Sequence, residues 1–256
     1  MKNIYLCQDT TRGIFSAFYD AWMESRDSEV GIQFVTNEDR QFFCQYIEVE
    51  ECEKKVEAIE KLILKNLGKK SYHDIYQALL ADDQEKAEVV FKTIQDARKI
   101  ENSTEIMDYL SNRNVMRVFE LCRKVAGEAH LLQGFIRFRE LSSGVLFAEI
   151  TPKSQVLTCI SEYFENRYPL ENWLIYDKTH KVSLVHIKGK PCFLMPLDEI
   201  NQKEIEKLAN GEDEYQDLWL EFFTSISIKE RENYPLQRNN IPLWYRKNMT
   251  EFMRTQ

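Results

Sequence analysis

The chain has 256 residues, 43% of them hydrophobic and 30% charged, with a formal net charge of −8. That is enough for one large domain or two small ones around a real core, in a composition typical of globular proteins. No apolar run reaches the roughly 18 residues that a membrane helix needs, so no membrane span is expected, and the acidic balance argues against nucleic-acid binding over the whole surface.

The start of the chain, Met1 to Asp9, reaches an acid before a signal-peptide core can form, and the expected location is cytoplasmic. All six prolines lie beyond residue 150, so nothing in the first 150 residues breaks a long helix. Residues 3–7 read as a short strand, and a cap near Thr10-Thr11 opens a helix carrying Ile14, Phe15, Phe18, Tyr19 and Trp22. Short strands are expected at 31–35 and 45–49, then an amphipathic helix over 50–67 that Gly68 stops. Helices 71–81 and 84–100 follow, with Asp82-Asp83 as the cap between them.

The helix expected over 114–134 has a core stripe running from Val115 through Val118, Cys122, Val125 and Ala129 to Leu132. A second face carries Arg123, Gly127, His130 and Gly134, at steps of four, three and four. Two glycines flanking a histidine suggest a close approach to the backbone, by a packed element or by a ligand or nucleic acid. Residues 135–141 and 145–150 alternate around Ser142-Ser143-Gly144 and read as a hairpin. Thr151-Pro152 reads as a cap and first turn for a helix over 152–167, followed by strands at 173–176, 182–187 and 192–195. Helices are expected at 198–209, 212–227 and 241–253. The fold class is α+β, helix-rich, with an antiparallel sheet in the C-terminal half flanked by helices. The division falls near 105–115, into a mostly helical part with short strands over 1–110 and an α+β part over 111–256.

The ordered pieces of the second half resemble a bacterial family. They are His130 through Glu140, then Ala148-Glu149-Ile150-Thr151-Pro152-Lys153, Tyr163-Phe164 with Arg167-Tyr168-Pro169, and Trp173 to Asp177. Leu218-Trp219, Ile228 through Arg231 to Asn233, Leu236-Gln237, Pro242, Trp244-Tyr245 and Glu251 complete the set. The resemblance covers about 130–252, and Tyr5, Gly13-Ile14-Phe15 and Trp22 fit its longer version. Its members carry the label "probable DNA metabolism protein". In some bacteria the domain is fused to a uracil-DNA glycosylase, and in others its gene lies beside a radical-SAM protein of DNA modification or repair. The resemblance therefore implies an accessory role beside such an enzyme and names no reaction. The tail here reads Trp244-Tyr245, an aromatic pair in the reverse of the expected order.

The chemistry legible in the residues is local. Residues 113–140 carry six basic side chains against three acidic, and 229–256 repeat that balance. Such stretches form a phosphate-binding face or simply solvated surface. Arg137 and Arg139, two apart on an expected strand, share a face and offer bidentate contacts to phosphate, or else ion pairs with Glu149 or Asp177. The candidate nucleic-acid-binding residues are Arg123, His130, Arg137, Arg139, Arg231, Gln237 and Arg246. If the chain is itself an enzyme acting on nucleotides or DNA ends, His130 and Glu140 are the acid/base candidates. Asp177 reads as a turn cap, Gln237 as a base reader or a backbone partner, and most of the aromatics as core. Six scattered cysteines without ligand spacing, and His180 and His186 six apart, lead to an expectation of no zinc, no iron–sulfur cluster and no cofactor. The expected function is an accessory protein of DNA metabolism or repair, with DNA or a radical-SAM or glycosylase-type enzyme as partner. The alternatives are the enzyme above and a structural subunit without nucleic-acid contact.

Overall fold

A continuous buried run, Ile4 to Cys7, builds β1 (Lys2–Cys7), and Thr10 ends the turn after it by accepting a hydrogen bond from the Gly13 amide at 2.9 Å. That cap starts α1 (Thr11–Glu24), which buries Ile14, Phe15 and Phe18. The computed structural model describes residues 2–25, 29–196, 225 and 233–253. These residues divide into two compact units, Met1–Ala126 and Gly127–Gln256.

In the first unit, β1 lies between β2 (Val30–Phe34) and β3 (Cys44–Glu48), parallel to both. The expected strands are present. The long helix α2 (Glu53–Leu79) is broken at Gly68, whose φ of 79° and ψ of 173° are not helical, so the expected stop appears as a kink between two helical segments. Asp83 accepts from the Glu85 amide ahead of α3 (Lys86–Asp96), which continues into a 3-10 turn over Ala97–Lys99. Lys86 is 1% exposed, and its ammonium is held by Asp9 at 2.6 Å and by the Ala81 carbonyl at 2.8 Å. A second 3-10 segment, Ser103–Asp108, precedes α4 (Arg113–Phe135), within which the two units divide.

The second unit is built on a five-stranded sheet in the order β4-β5-β6-β7-β8: Arg139–Glu140, Leu146–Ile150, Trp173–Asp177, Val182–His186 and Phe193–Pro196. Helix α5 (Leu157–Arg167) connects β5 to β6. The fold class is α+β as expected, but the sheet is mixed. Strands β5 and β6 are parallel, because α5 carries the chain back to the end from which β5 began. Two boundaries also move. Helix α4 runs on to Phe135, where Ile136 still donates to the Leu132 carbonyl, so the first strand shrinks to two residues. Helix α5 starts at Leu157 rather than at Pro152, and ahead of it the amides of Lys153 and Ser154 donate to the Glu128 carboxylate.

Trp173 is fully buried, stacks on His186 at 5.1 Å and meets Phe138 and Phe164 edge-on. The helices expected over 198–209 and 212–227 lie outside the described residues, Ser225 apart. A short helix, α6 (Tyr234–Asn240), precedes the tail, and the helix expected over 241–253 is two short ones, α7 (Leu243–Arg246) and α8 (Thr250–Met253).

Candidate nucleic-acid interface

Glu128 is the organising residue of the second unit. It lies on α4 at the core-stripe spacing, three after Val125 and four before Leu132, and it is 6% exposed. Burying a carboxylate costs several kcal/mol unless its oxygens accept hydrogen bonds. Here one oxygen accepts from the Lys153 amide at 2.7 Å and the other from the Ser154 amide at 2.9 Å. The Tyr245 hydroxyl donates to the first at 2.9 Å. Burial, followed by the Glu128 charge, raises the Tyr245 hydroxyl well above the usual phenol range, so it stays protonated as a donor.

This carboxylate joins the loop after β5 to α7. Two further bonds tighten the joint: the Trp244 indole N–H donates to the Thr151 carbonyl, and the Asn248 amide donates to the Thr151 hydroxyl at 3.1 Å. Phe135 packs on Tyr245 from α4 at 5.8 Å. The inner face of α7 is thus bolted down while its outer residue is not covered. Trp244 remains 40% exposed, with the Lys247 ammonium 4.4 Å and the Lys153 ammonium 5.7 Å from its ring centroid. An indole held at its N–H, with two flexible lysines over its ring, can stack on a base once a lysine swings off the face to reach the phosphates.

The residues singled out from sequence fall differently. The Arg137 guanidinium pairs with Glu251 at 2.8 Å and donates to the Gly134 carbonyl at 2.7 Å. With the Glu251 side chain only 4% exposed, this is a structural ion pair rather than a phosphate clamp. Its partner is neither of the carboxylates expected: Glu149 pairs with Lys178, and Asp177 is taken by its own turn, accepting from the Thr179 amide and bonding His180. Arg137 precedes β4, so it and Arg139 do not share a strand face; Arg139 lies over the Phe147 ring at 5.1 Å.

Arg123, Gly127, His130 and Gly134 are all exposed on α4, and a Cβ added at either glycine would meet nothing within 4 Å. Among the described residues no packed element closes on the backbone at these two glycines. Arg123 lies over Phe119 at 5.9 Å. Glu140, the other acid/base candidate, is exposed at the end of β4. Arg246 donates to the Ile241 carbonyl and lies over the Phe252 ring, and Gln237 sits within α6. Arg231 lies outside the described residues. Sequence reasoning passed over Glu128, Lys153 and Lys247, and placed most of the aromatics in the core; the available signal was an acid on an apolar stripe.

The remaining candidates are structural. His186 bonds the Glu171 carbonyl at 2.9 Å beneath Trp173. Burial pushes the thiols of Cys7 and Cys122 up to about 12, which makes them core thiols rather than nucleophiles. Among the described residues no cluster of three or more histidine, cysteine or acidic side chains is placed to hold a metal, and no helix is long and apolar enough to cross a membrane.

Fold and site together define an α+β protein in which α7 is bonded to the loop after β5 through Glu128 and Thr151. Residues 84–251, two thirds of the chain, match the family described as a domain of unknown function, DUF4130, and the chain belongs to that family. No curated protein matches the chain.

Proposed function

We propose that this protein is a cytoplasmic accessory factor of bacterial DNA metabolism or repair that binds DNA through Trp244, Lys153 and Lys247. The observation that carries this reading is the exposed indole, fixed by its N–H to Thr151 and flanked by two lysines. The resemblance to proteins found beside radical-SAM and glycosylase-type enzymes supports the setting, with such an enzyme as the partner that supplies the chemistry. An unpaired base suits the platform better than duplex does, because a ring face recognises any base once it is unstacked.

The test is fluorescence anisotropy of a labelled oligothymidylate with the full chain at low salt. Trp244→Ala should weaken binding by about 1–3 kcal/mol, the range for one stacked base. Its melting temperature should fall only modestly, from loss of the bond to Thr151, so binding is compared well below the melting transition of both proteins. Wild-type protein that fails to bind at 50 μM, or a variant that binds equally well, overturns the reading.

A further inference from the structure

The three-stranded sheet of the first unit has two edges, and they differ. The Val35 amide donates to the Cys7 carbonyl, so along β2 the odd-numbered residues face β1 and the even-numbered ones turn their backbone groups outward. Two of those outward groups are taken within the unit. The Ile32 amide donates to the Glu88 carboxylate of α3 at 2.7 Å, and the Phe34 carbonyl accepts from the Asn37 amide at 3.0 Å. On the other edge the Val49 amide donates to the Leu6 carbonyl, which turns Cys44, Tyr46 and Glu48 of β3 outward. Among the described residues nothing bonds the outward amides and carbonyls of Tyr46 and Glu48. A strand edge of this kind is a template for another strand.

Beside the open edge, the loop from β2 to β3 displays two aromatic rings. Phe42 is 92% exposed and Phe43 is 89% exposed. The loop is tied down around them. The Gln41 amide donates to the Tyr46 hydroxyl at 2.6 Å, the Gln33 side-chain amide to the Asp39 carbonyl at 2.7 Å, and the Arg40 guanidinium to the Asn37 carbonyl at 3.1 Å. Phe43 has a φ of 61°, a left-handed conformation that bulky residues rarely adopt. A pinned loop that holds a strained phenylalanine and its neighbour out in water marks a contact surface.

Charge decides what this surface accepts. Glu38 and Asp39 on the loop, Glu48 on β3 and Glu50 just beyond it are exposed, and among the described residues none of the four forms an ion pair. Arg40 is the one cation in the sequence from 36 to 51. A second copy of the chain would bring the same acidic edge, on a molecule of net charge −8, against this one, and like charges oppose that pairing. A strand carrying lysines or arginines is attracted to it instead.

We infer that the β3 edge, with Phe42 and Phe43, docks an extended segment of a partner protein in which apolar and basic residues alternate, added to the sheet as a fourth strand. Main-chain bonds to Tyr46 and Glu48 hold the segment, its apolar side chains cover the two phenylalanines, and its cations meet the four carboxylates. None of these residues belongs to the Trp244 site, so the inference stands or falls apart from the DNA reading.

The test is fluorescence anisotropy of a labelled, capped heptapeptide alternating lysine with valine, titrated with the full chain at low salt. It should saturate with a Kd below about 200 μM, weak as befits one short added strand. The same peptide with glutamate in place of lysine should bind at least ~10-fold more weakly, and so should one methylated on two adjacent central backbone nitrogens, which keeps every charge and blocks the ladder. Phe42→Ser combined with Phe43→Gly removes both rings and suits the positive φ, so it should weaken binding by ~10-fold or more without lowering the melting temperature. Glu48→Pro deletes an outward amide and spares the bonds to β1, and it should weaken binding more than Glu48→Gln, which removes the charge alone. Trp244→Ala should bind the peptide as the wild type does. The inference is overturned if the basic peptide fails to bind at about 1 mM, if the glutamate or methylated peptide binds equally well, or if the phenylalanine variant binds as the wild type does. Sedimentation in which the free chain dimerises and the phenylalanine variant does not would give the edge to a second copy, and would overturn it as well.

Discussion

Glu128 places one buried carboxylate under three donors, the amides of Lys153 and Ser154 and the hydroxyl of Tyr245. Removing it strands those donors in a site that the side chain itself had filled. Glu128→Ala should therefore cost about 3 kcal/mol of folding stability, the upper range for orphaning buried groups bonded to a charge. Urea unfolding measures this, and a loss below about 1 kcal/mol would mean that the lock contributes little beyond an ordinary exposed contact. Arg137 shows what is hard to read from residue type. Its guanidinium is chemically suited to phosphate, but Glu251, far away in sequence, takes it. No local spacing encodes a partner that distant. Glu128 was legible in principle, because an acid among Val125, Ala129 and Leu132 has to meet donors inside the protein.

The glycines separate two uses of the same residue at the level of elements. Gly68 has a positive φ with an extended ψ, a region essentially reserved for glycine. Gly68→Ala should cost about 1–3 kcal/mol from backbone strain, although the added Cβ would find only Thr104 at 4.0 Å. Gly127 lies in regular helix with open space beside it, so Gly127→Ala should instead stabilise by about 0.5–1 kcal/mol. Opposite signs in thermal unfolding check both at once, and equal effects would contradict the two conformations. The strands of the first half were legible because each is a short apolar run bounded by turn residues. The direction of β6 was misread: the expectation of an antiparallel sheet passed over the succession of strand, helix and strand, which favours a parallel pair. The first strand of the sheet was misread for a different reason. The apolar positions Phe135, Phe138 and Leu141 are three apart, not two, and Phe138 is apolar because it packs on Phe164, Tyr168 and Trp173.

Over the whole molecule, a net charge of −8 means that any contact with DNA has to be local, made by a few cations against an unfavourable background. The family match, residues 84–251, begins inside the first unit and includes Glu128, Lys153, Trp244, Lys247 and Glu251. The proposed DNA contact assigns the phosphates to Lys153 and Lys247 beside Trp244, and leaves Arg137 to hold the fold through Glu251. The most direct test is the salt dependence of single-stranded DNA affinity for the wild type, for the double variant Lys153→Ala with Lys247→Ala, and for Arg137→Ala. Losing two phosphate contacts should flatten the logarithmic salt slope by about 1.4 in the lysine variant, with no change in melting temperature. Arg137→Ala should keep the wild-type slope and melt at a lower temperature, because it leaves Glu251 buried without that cation. A slope that flattens in the arginine variant and not in the lysine variant would contradict the account.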